Sequence, residues 1–422
     1  MLVASPKAPA DVTFPLLLLA LVPLVGLVAI ESRRPSISPR VIFGVGAGLL
    51  VLAVARPPHG SSDVWSYAMY GRMAAVHHVS PYTHRPAEFL SDPFLARVAA
   101  GWRHARSVYG PGFTVLSAAI MTVAGASALL ARLGFQAVAA GALLGMGAVL
   151  VRGGVRSAAL AAVMLNPLVV VSVANGGHND ALVGLAILLT AEALRRRRPA
   201  VAGVLLAAAV LVKAVAVLPA IAGVIWVWRH EGRRYAATLV AGLVAPVALG
   251  FAAFGGVDAV APVLAAGARR SRVSVWNLLG SGHALVPGLV TRHPVSMAVV
   301  VIGFTAVVVA TRIADESPVP AFAASLVGYL LLAGYILPWY FAWVLPVAAL
   351  DDASPLGRVV GAQTVVVLVA YQYQSVRHGD GLDRLLQVAV GGARLVALAG
   401  SLVLLAVAIA VTASRRAATR PG

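Results

Sequence analysis

Long apolar runs separated by short clusters of arginine dominate the pattern of this chain. Phe14–Ile30, Ala158–Ala174, Val295–Ala310 and Leu395–Val411 are apolar on every helical face, whereas a helix of a soluble domain keeps one polar side. Such segments suit lipid, where each backbone N–H and C=O must be satisfied within its own helix. The pattern therefore predicts an all-α polytopic membrane protein, one integral-membrane domain over 1–422. The expected spans are Asp11–Ile30, Val41–Ala55, Ser127–Val151, Ser157–Ala174, Ala181–Leu194, Pro199–Val215, Ala216–Trp228, Tyr235–Phe254, Pro294–Thr311, Val319–Leu337, Phe341–Leu350, Gly357–Ala370 and Val388–Ala413. They make roughly thirteen crossings.

The polar joints carry a direction. Arg33/Arg34/Arg40, Arg152/Arg156, Arg195–Arg198, Arg229/Arg233/Arg234 and Arg415/Arg416/Arg420 occupy short loops or a terminus, where arginine marks the cytoplasmic side. Alternation then sends Arg56–Gly112, Asn175–Asp180, Gly255–His293 and Tyr371–Gln387 to the opposite face. Phe113–Gly125 is apolar too, but counting it as a crossing would put Arg152 and Arg156 outside. It rises only roughly 20 Å, short of a hydrocarbon core of about 30 Å. An interfacial or re-entrant helix is expected there, so that 56–126 forms one extracytoplasmic loop with a juxtamembrane helix. The first apolar run is expected to stay as a span, since Met1–Asp11 lacks a basic n-region and Glu31-Ser32-Arg33-Arg34 follows in place of a small-residue cleavage site. No internal repeat is visible.

Composition adds less. The formal charge of +18 is almost wholly arginine, the lysines being Lys7 and Lys213. Its sign suits anionic lipid headgroups or phosphorylated substrates, and with no basic domain standing clear of the membrane, nucleic acid is not an expected partner. Cysteine is absent, which excludes disulfides and thiolate metal ligands.

Candidate chemistry gathers on the side opposite the arginine clusters. Asp63, in Ser61-Ser62-Asp63-Val64-Trp65-Ser66-Tyr67, begins a loop that also holds Arg72, Tyr82, Arg85, His104, Arg106 and Tyr109. Sugar transfer would use such a set: the attacking hydroxyl needs a base, and a departing phosphate needs cations. Asp63 is the candidate base, and Trp65, Tyr67, Tyr82 and Tyr109 are candidates to contact sugar. A helix cap, or a surface charge paired with Arg72, is the plainer alternative for Asp63. In Asn175-Gly176-Gly177-His178-Asn179-Asp180, the residues His178, Asn179 and Asp180 are candidates for sugar or headgroup contact, or simple caps of the next helix. Lys213 interrupts an apolar run toward the outer side. An ammonium there needs an anionic partner or a wet cavity, and a donor phosphate would serve; a structural ion pair, or snorkelling to the outer interface, is the plainer alternative. Arg269, Arg270 and Arg272, beside Trp276 and Asn277, suit phosphate capture, with Arg72 as a further candidate. Trp339 and Tyr340, in Gly334–Trp343, could line a sugar or polyprenyl groove or belong to an aromatic belt. No set of side chains has metal-ligand spacing, so no metal is expected.

Asp63-Val64-Trp65-Ser66-Tyr67 with Gly71-Arg72, Ser80-Pro81-Tyr82, Tyr109-Gly110-Pro111, Gly177-His178-Asn179-Asp180 and Leu337-Pro338-Trp339-Tyr340 with Trp343 together resemble the actinobacterial polyprenyl-phosphomannose-dependent α-1,6-mannosyltransferases, members of the GT-C membrane glycosyltransferases. The resemblance covers most of the chain and is densest from Asp63 to Pro111. It implies a GT-C fold with the catalytic Asp in the first long outer loop. It also implies a mannose donor carried on polyprenyl phosphate, a lipid-anchored glycan acceptor of the cell envelope, inversion by single displacement with Asp63 as base, and no nucleotide or other cofactor. Unlike many GT-C enzymes, this chain has no adjacent acidic pair at Asp63, and no soluble carboxyl-terminal domain is expected. Another lipid-phosphate-sugar transferase (arabinosyl or α-1,2-mannosyl) is the neighbouring alternative. A transporter or flippase of lipid-linked sugars fits less well, because such proteins place sites near the midplane of repeated halves. The expected location is the plasma membrane, with the site on its extracytoplasmic face.

Overall fold

A computed structural model describes residues 10–373 apart from 255, 267, 268, 270, 272, 273, 275, 277–293 and 353. The expected last span Val388–Ala413, the candidates Arg270, Arg272 and Asn277, and the outer segment beyond Tyr373 lie outside the described residues.

Everything described is helical or irregular, and helices begin where local chemistry starts them. Ser127 caps Ala128–Arg152 by accepting from the Leu130 N–H at 3.2 Å, and prolines, which need no N–H partner in a first turn, open Pro39–Ala55, Pro111–Ala124 and Pro199–Val212. Among the described residues, Ala128–Arg152, Ala214–Glu231 and Arg233–Ala253 are each long and apolar enough to cross a bilayer. Ser157–Met164 and the π-helix Leu168–Asn175, bent by 42°, make a fourth crossing if joined. In Arg233–Ala253 only Ala236 and Leu239 are buried. Past Arg233 and Arg234 this helix is nearly all apolar, and one left that bare faces lipid; the chain is a membrane protein.

Two ends of the bundle differ in kind. At one, Arg156 pairs with Asp352 at 2.7 Å, Arg197 with Glu231 at 3.3 Å, and the Trp226 indole donates to the Asp315 carbonyl at 2.9 Å. At the other, the His59 N–H meets Asn175, the Gly110 N–H meets the Val212 carbonyl, and the Ser271 N–H meets the Gly334 carbonyl. The arginine-rich joints thus share one end and the candidate residues the other.

The segment between the second helix and Ala128–Arg152 leaves and returns at that second end. Arg132 donates to the carbonyls of Val54 and Arg56 at 3.2 and 3.0 Å, so Pro111–Ala124 lies between two points on one face and does not cross. Most of the expected loop is nonetheless built: Asp63–Ala75 is a helix packed on Pro111–Ala124, around a core of Tyr67, Tyr70, Phe113 and Phe135.

Three expected spans need correction. Pro199–Val215 stops as a helix at Val212, because Gly110 captures the Val212 carbonyl at 3.0 Å, and the next helix follows through a 3₁₀ turn, Ala214–Ala216. Val319–Leu337 stops at Leu332; its continuation bonds to Ser271, whose hydroxyl accepts from the Ile336 N–H at 3.0 Å. Phe341–Leu350 is a broken path of 3₁₀ helix Pro338–Trp343, one turn Leu345–Ala348 and 3₁₀ helix Ala349–Asp351, with Pro338 and Pro346 unable to donate to a regular ladder.

Candidate active site

The approach to Asp63 is held by side chains from distant helices. The amide nitrogen of Asn175 donates to the carbonyls of Ala53, Arg56 and Pro57, at 2.9, 3.2 and 2.9 Å, and its oxygen accepts from the His59 N–H at 2.7 Å. Gln136 donates to the Arg56 and Asn175 carbonyls at 2.9 and 2.7 Å. This network ties the end of the second helix to the π-helix, and Asp63 follows as the first residue of its own helix.

Asp63 lines a cavity of about 240 Å³. Tyr109, Lys213, Arg269, Trp339 and Tyr340, all candidates from the sequence, line it as well. Gly60, Ser61, Trp102, Tyr335 and Tyr371 do so too and were not among the candidates. Tyr335 stood inside the Gly334–Trp343 motif, and Trp102 beside the basic run Arg103–Arg106, so an aromatic next to polar groups was the available signal. The Asp63 side chain is 17% exposed. Burial, with Asp180 adding and Lys213 opposing, pushes its carboxyl up to about 6. The helix N-cap is Ser62 and the partner of Arg72 is Asp92, so neither plainer alternative for Asp63 is realised.

Lys213 bridges cavity and interior. Its ammonium donates to Asp180 Oδ1 at 2.7 Å and lies 4.4 Å from the ring centroid of Tyr340 and 5.2 Å from that of Trp343. The anion it required is therefore a fixed carboxylate, desolvated on both sides (15% and 0% side-chain exposure). Gly110 sets the neighbouring backbone contact: a Cβ there would lie 2.2 Å from the Leu211 carbonyl oxygen.

His178, Asn179 and Asp180 form the layer behind the cavity wall. The His178 ring stacks on Trp339, centroids 3.9 Å apart, and its Nδ1 is 3.3 Å from the Tyr67 hydroxyl. Burial, with Lys213 adding, holds His178 well below the usual histidine range. Its 3.7 Å approach to Asp63 is then a contact between a neutral ring and a carboxylate, too long for a hydrogen bond. Asn179 is buried with neither amide atom hydrogen-bonded among the described residues.

The remaining candidates are taken up by the fold. Arg72 is a correction: its Nε donates to both Asp92 oxygens at 3.0 and 2.8 Å and its Nη1 to the Gly125 carbonyl at 2.9 Å, which holds it buried in an ion pair away from the cavity. Tyr82 is fully buried, donating to the Tyr109 carbonyl at 2.9 Å and facing Thr114. Trp65 lies under Arg97, and Trp276 donates to the Leu332 carbonyl. Tyr67 meets Tyr109 and Phe113 edge-on inside the core. None of these lines the cavity.

Residues 12–230 match the family described as Alpha-(1->6)-mannopyranosyltransferase, N-terminal domain. Alpha-(1->6)-mannopyranosyltransferase A of Corynebacterium glutamicum is 32% identical over 197 residues, covering 45% of this chain and 39% of that protein. The protein of the same name from Mycobacterium tuberculosis is 28% identical over 353 residues, covering 74% of this chain and 66% of its own length. The chain thus spans less than two thirds of either relative. No solved structure matches. Asp63, Tyr109, His178, Asp180 and Lys213 fall inside the family match, and Arg269, Tyr335, Trp339 and Tyr340 beyond it.

Proposed function

We propose, from the premise that this chain belongs to the alpha-(1->6)-mannopyranosyltransferase family, that it is a GT-C-type inverting enzyme moving mannose from a polyprenyl-phosphate carrier to a glycan or glycolipid acceptor. The observation that carries the proposal is Asp63: a half-buried carboxylate at about 6, in a sugar-sized cavity walled by aromatic rings and flanked by Arg269. At neutral pH such a group is mostly ionised, yet it is a better proton acceptor than an ordinary aspartate.

In the proposed step the acceptor hydroxyl gives its proton to Asp63 while its oxygen forms a bond to the anomeric carbon. The bond from that carbon to the phosphate oxygen breaks on the opposite face, and its electron pair leaves with the phosphate. One displacement inverts the anomeric centre. Trp339, Tyr340 and Trp102 offer faces for sugar rings. Arg269, stacked 4.2 Å over Trp102, is the cation placed to meet the developing charge. Lys213 is held by Asp180 and contributes field and shape more than a free charge. The arginine-rich end faces the cytoplasm in this proposal, placing the cavity on the outer face of the plasma membrane, as the positive-inside rule favours.

Replacing Asp63 with Asn keeps the shape and removes the base. Transfer from polyprenyl-phosphomannose by the purified variant is expected to fall to background with donor binding retained; turnover near that of the unaltered protein would remove Asp63 from the role.

A further inference from the structure

His178 stands between the carboxylate and one aromatic wall of the cavity without lining the cavity itself. Its backbone is fixed where the π-helix ends, the His178 N–H donating to the Val173 carbonyl at 2.9 Å. Two glycines make room for the ring: Gly177 takes φ +61°, and a Cβ on Gly176 would lie 2.5 Å from His178 Cδ2. One face of the imidazole stacks on Trp339, centroids 3.9 Å apart, and Tyr371 meets the same indole edge-on at 5.8 Å. The indole that lines the cavity is therefore held from two directions. On the ring's edge, Nδ1 lies 3.3 Å from the Tyr67 hydroxyl and 3.7 Å from Asp63 Oδ2, while Nε2 is buried with no hydrogen-bond partner among the described residues. A neutral imidazole has one ring hydrogen, and only Nδ1 has acceptors to receive it.

We infer that His178 is a positioning residue with two hands: its ring face sets the plane of Trp339, and its Nδ1–H steers the Asp63 carboxylate so that the other oxygen is left for the acceptor hydroxyl. This rests on the base role proposed above for Asp63. His178 is fully buried, so it acts through these two neighbours and touches no reacting atom. A neutral N–H dipole aimed at a carboxylate orients it at little cost in basicity, whereas an imidazolium would pair with it and weaken the base. Lys213 and Asp180 are the other charged groups acting on Asp63, and changing His178 leaves both in place. One ring thus couples the orientation of the base to that of the wall.

Two substitutions divide the ring. His178→Phe keeps the stacking face and removes the Nδ1–H, whereas His178→Asn keeps a donor at the Nδ1 position and removes the face. The full chain in phosphatidylcholine nanodiscs is treated with a carbodiimide, which reacts with protonated carboxyls, and labelling of Asp63 is followed against pH by peptide mass spectrometry. The labelling midpoint is expected to rise by roughly half a pH unit in the Phe variant and to hold in the Asn variant. His178→Gln, whose amide reaches the Nε2 position instead, should move the midpoint as Phe does, and it serves where the Phe variant fails to fold. In mannosyl transfer the Phe variant is expected to lose kcat with KM kept, and the Asn variant to raise KM several-fold. A midpoint unmoved or lowered in the Phe and Gln variants overturns the steering of Asp63, and an unchanged KM in the Asn variant overturns the hold on Trp339. Labelling needs no turnover, so a protein that shows the midpoint shift yet transfers no mannose counts against the proposed function and for the positioning.

Discussion

At the scale of single residues two predictions stand, the first carried by the carboxylate of Asp63. As a base it works ionised, so kcat/KM is expected to fall as pH drops through about 6, the position of its carboxyl, and a pH–rate profile with no such limb would contradict the assignment. The second concerns the neighbouring pair. Removing either partner of Lys213–Asp180 strands a desolvated charge, at a cost of about 3–5 kcal/mol. Lys213→Met and Asp180→Asn should therefore each lower the thermal midpoint more than the double variant does, and equal losses in all three would deny the coupling. The placement of Asp63 at the cavity end was legible in the sequence because it opens a polar loop on the side opposite the arginine clusters. Lys213 was legible as a charge in need of an anion. That the anion is Asp180, 33 positions away, depends on how two antiparallel helices end beside each other, which no local pattern states. Arg72 misled for the same reason: its partner Asp92 is 20 positions on and entirely buried.

Most helix bounds were readable, and two ends were not. Pro199 and Ser127 announce their helices by chemistry confined to one turn, and Ala55 ends its helix where expected, whereas Pro111 opens a helix that was expected only from Phe113. The ends at Val212 and Leu332 are set from outside, by Gly110 and Ser271 taking hydrogen bonds that a longer helix would have kept. Gly110 is therefore an element-scale control on the site. Its alanine variant would place a methyl group 2.2 Å from the Leu211 carbonyl oxygen, forcing apart the helix end that carries Lys213. Gly110→Ala is expected to lose most transfer activity and melt earlier than the unaltered protein, measured side by side. A variant with full activity would show that the contact does not position Lys213.

For the molecule as a whole, apolar periodicity and arginine placement gave the class of fold and the separation of its two ends, since both follow from the demands of lipid on any chain. The cavity was only half visible, because its wall joins residues from the loop after the second helix, the break at Lys213, the stretch around Arg269 and the broken path after Leu337. Sidedness invites a direct test, made clean by the absence of cysteine. On intact cells a membrane-impermeant maleimide should label Ser91→Cys, exposed at the cavity end, and spare Ala314→Cys, exposed at the arginine-rich end. The opposite labelling would turn the orientation over. The Asn175 clamp sets a final constraint. By gripping Pro57 and His59 it leaves only a few residues of slack before Asp63, and each residue of extended chain spans about 3.3–3.6 Å. Adding or deleting one residue in that tether would shift the carboxylate by about the length of a hydrogen bond, so the tether acts as a ruler whose length matters more than its composition.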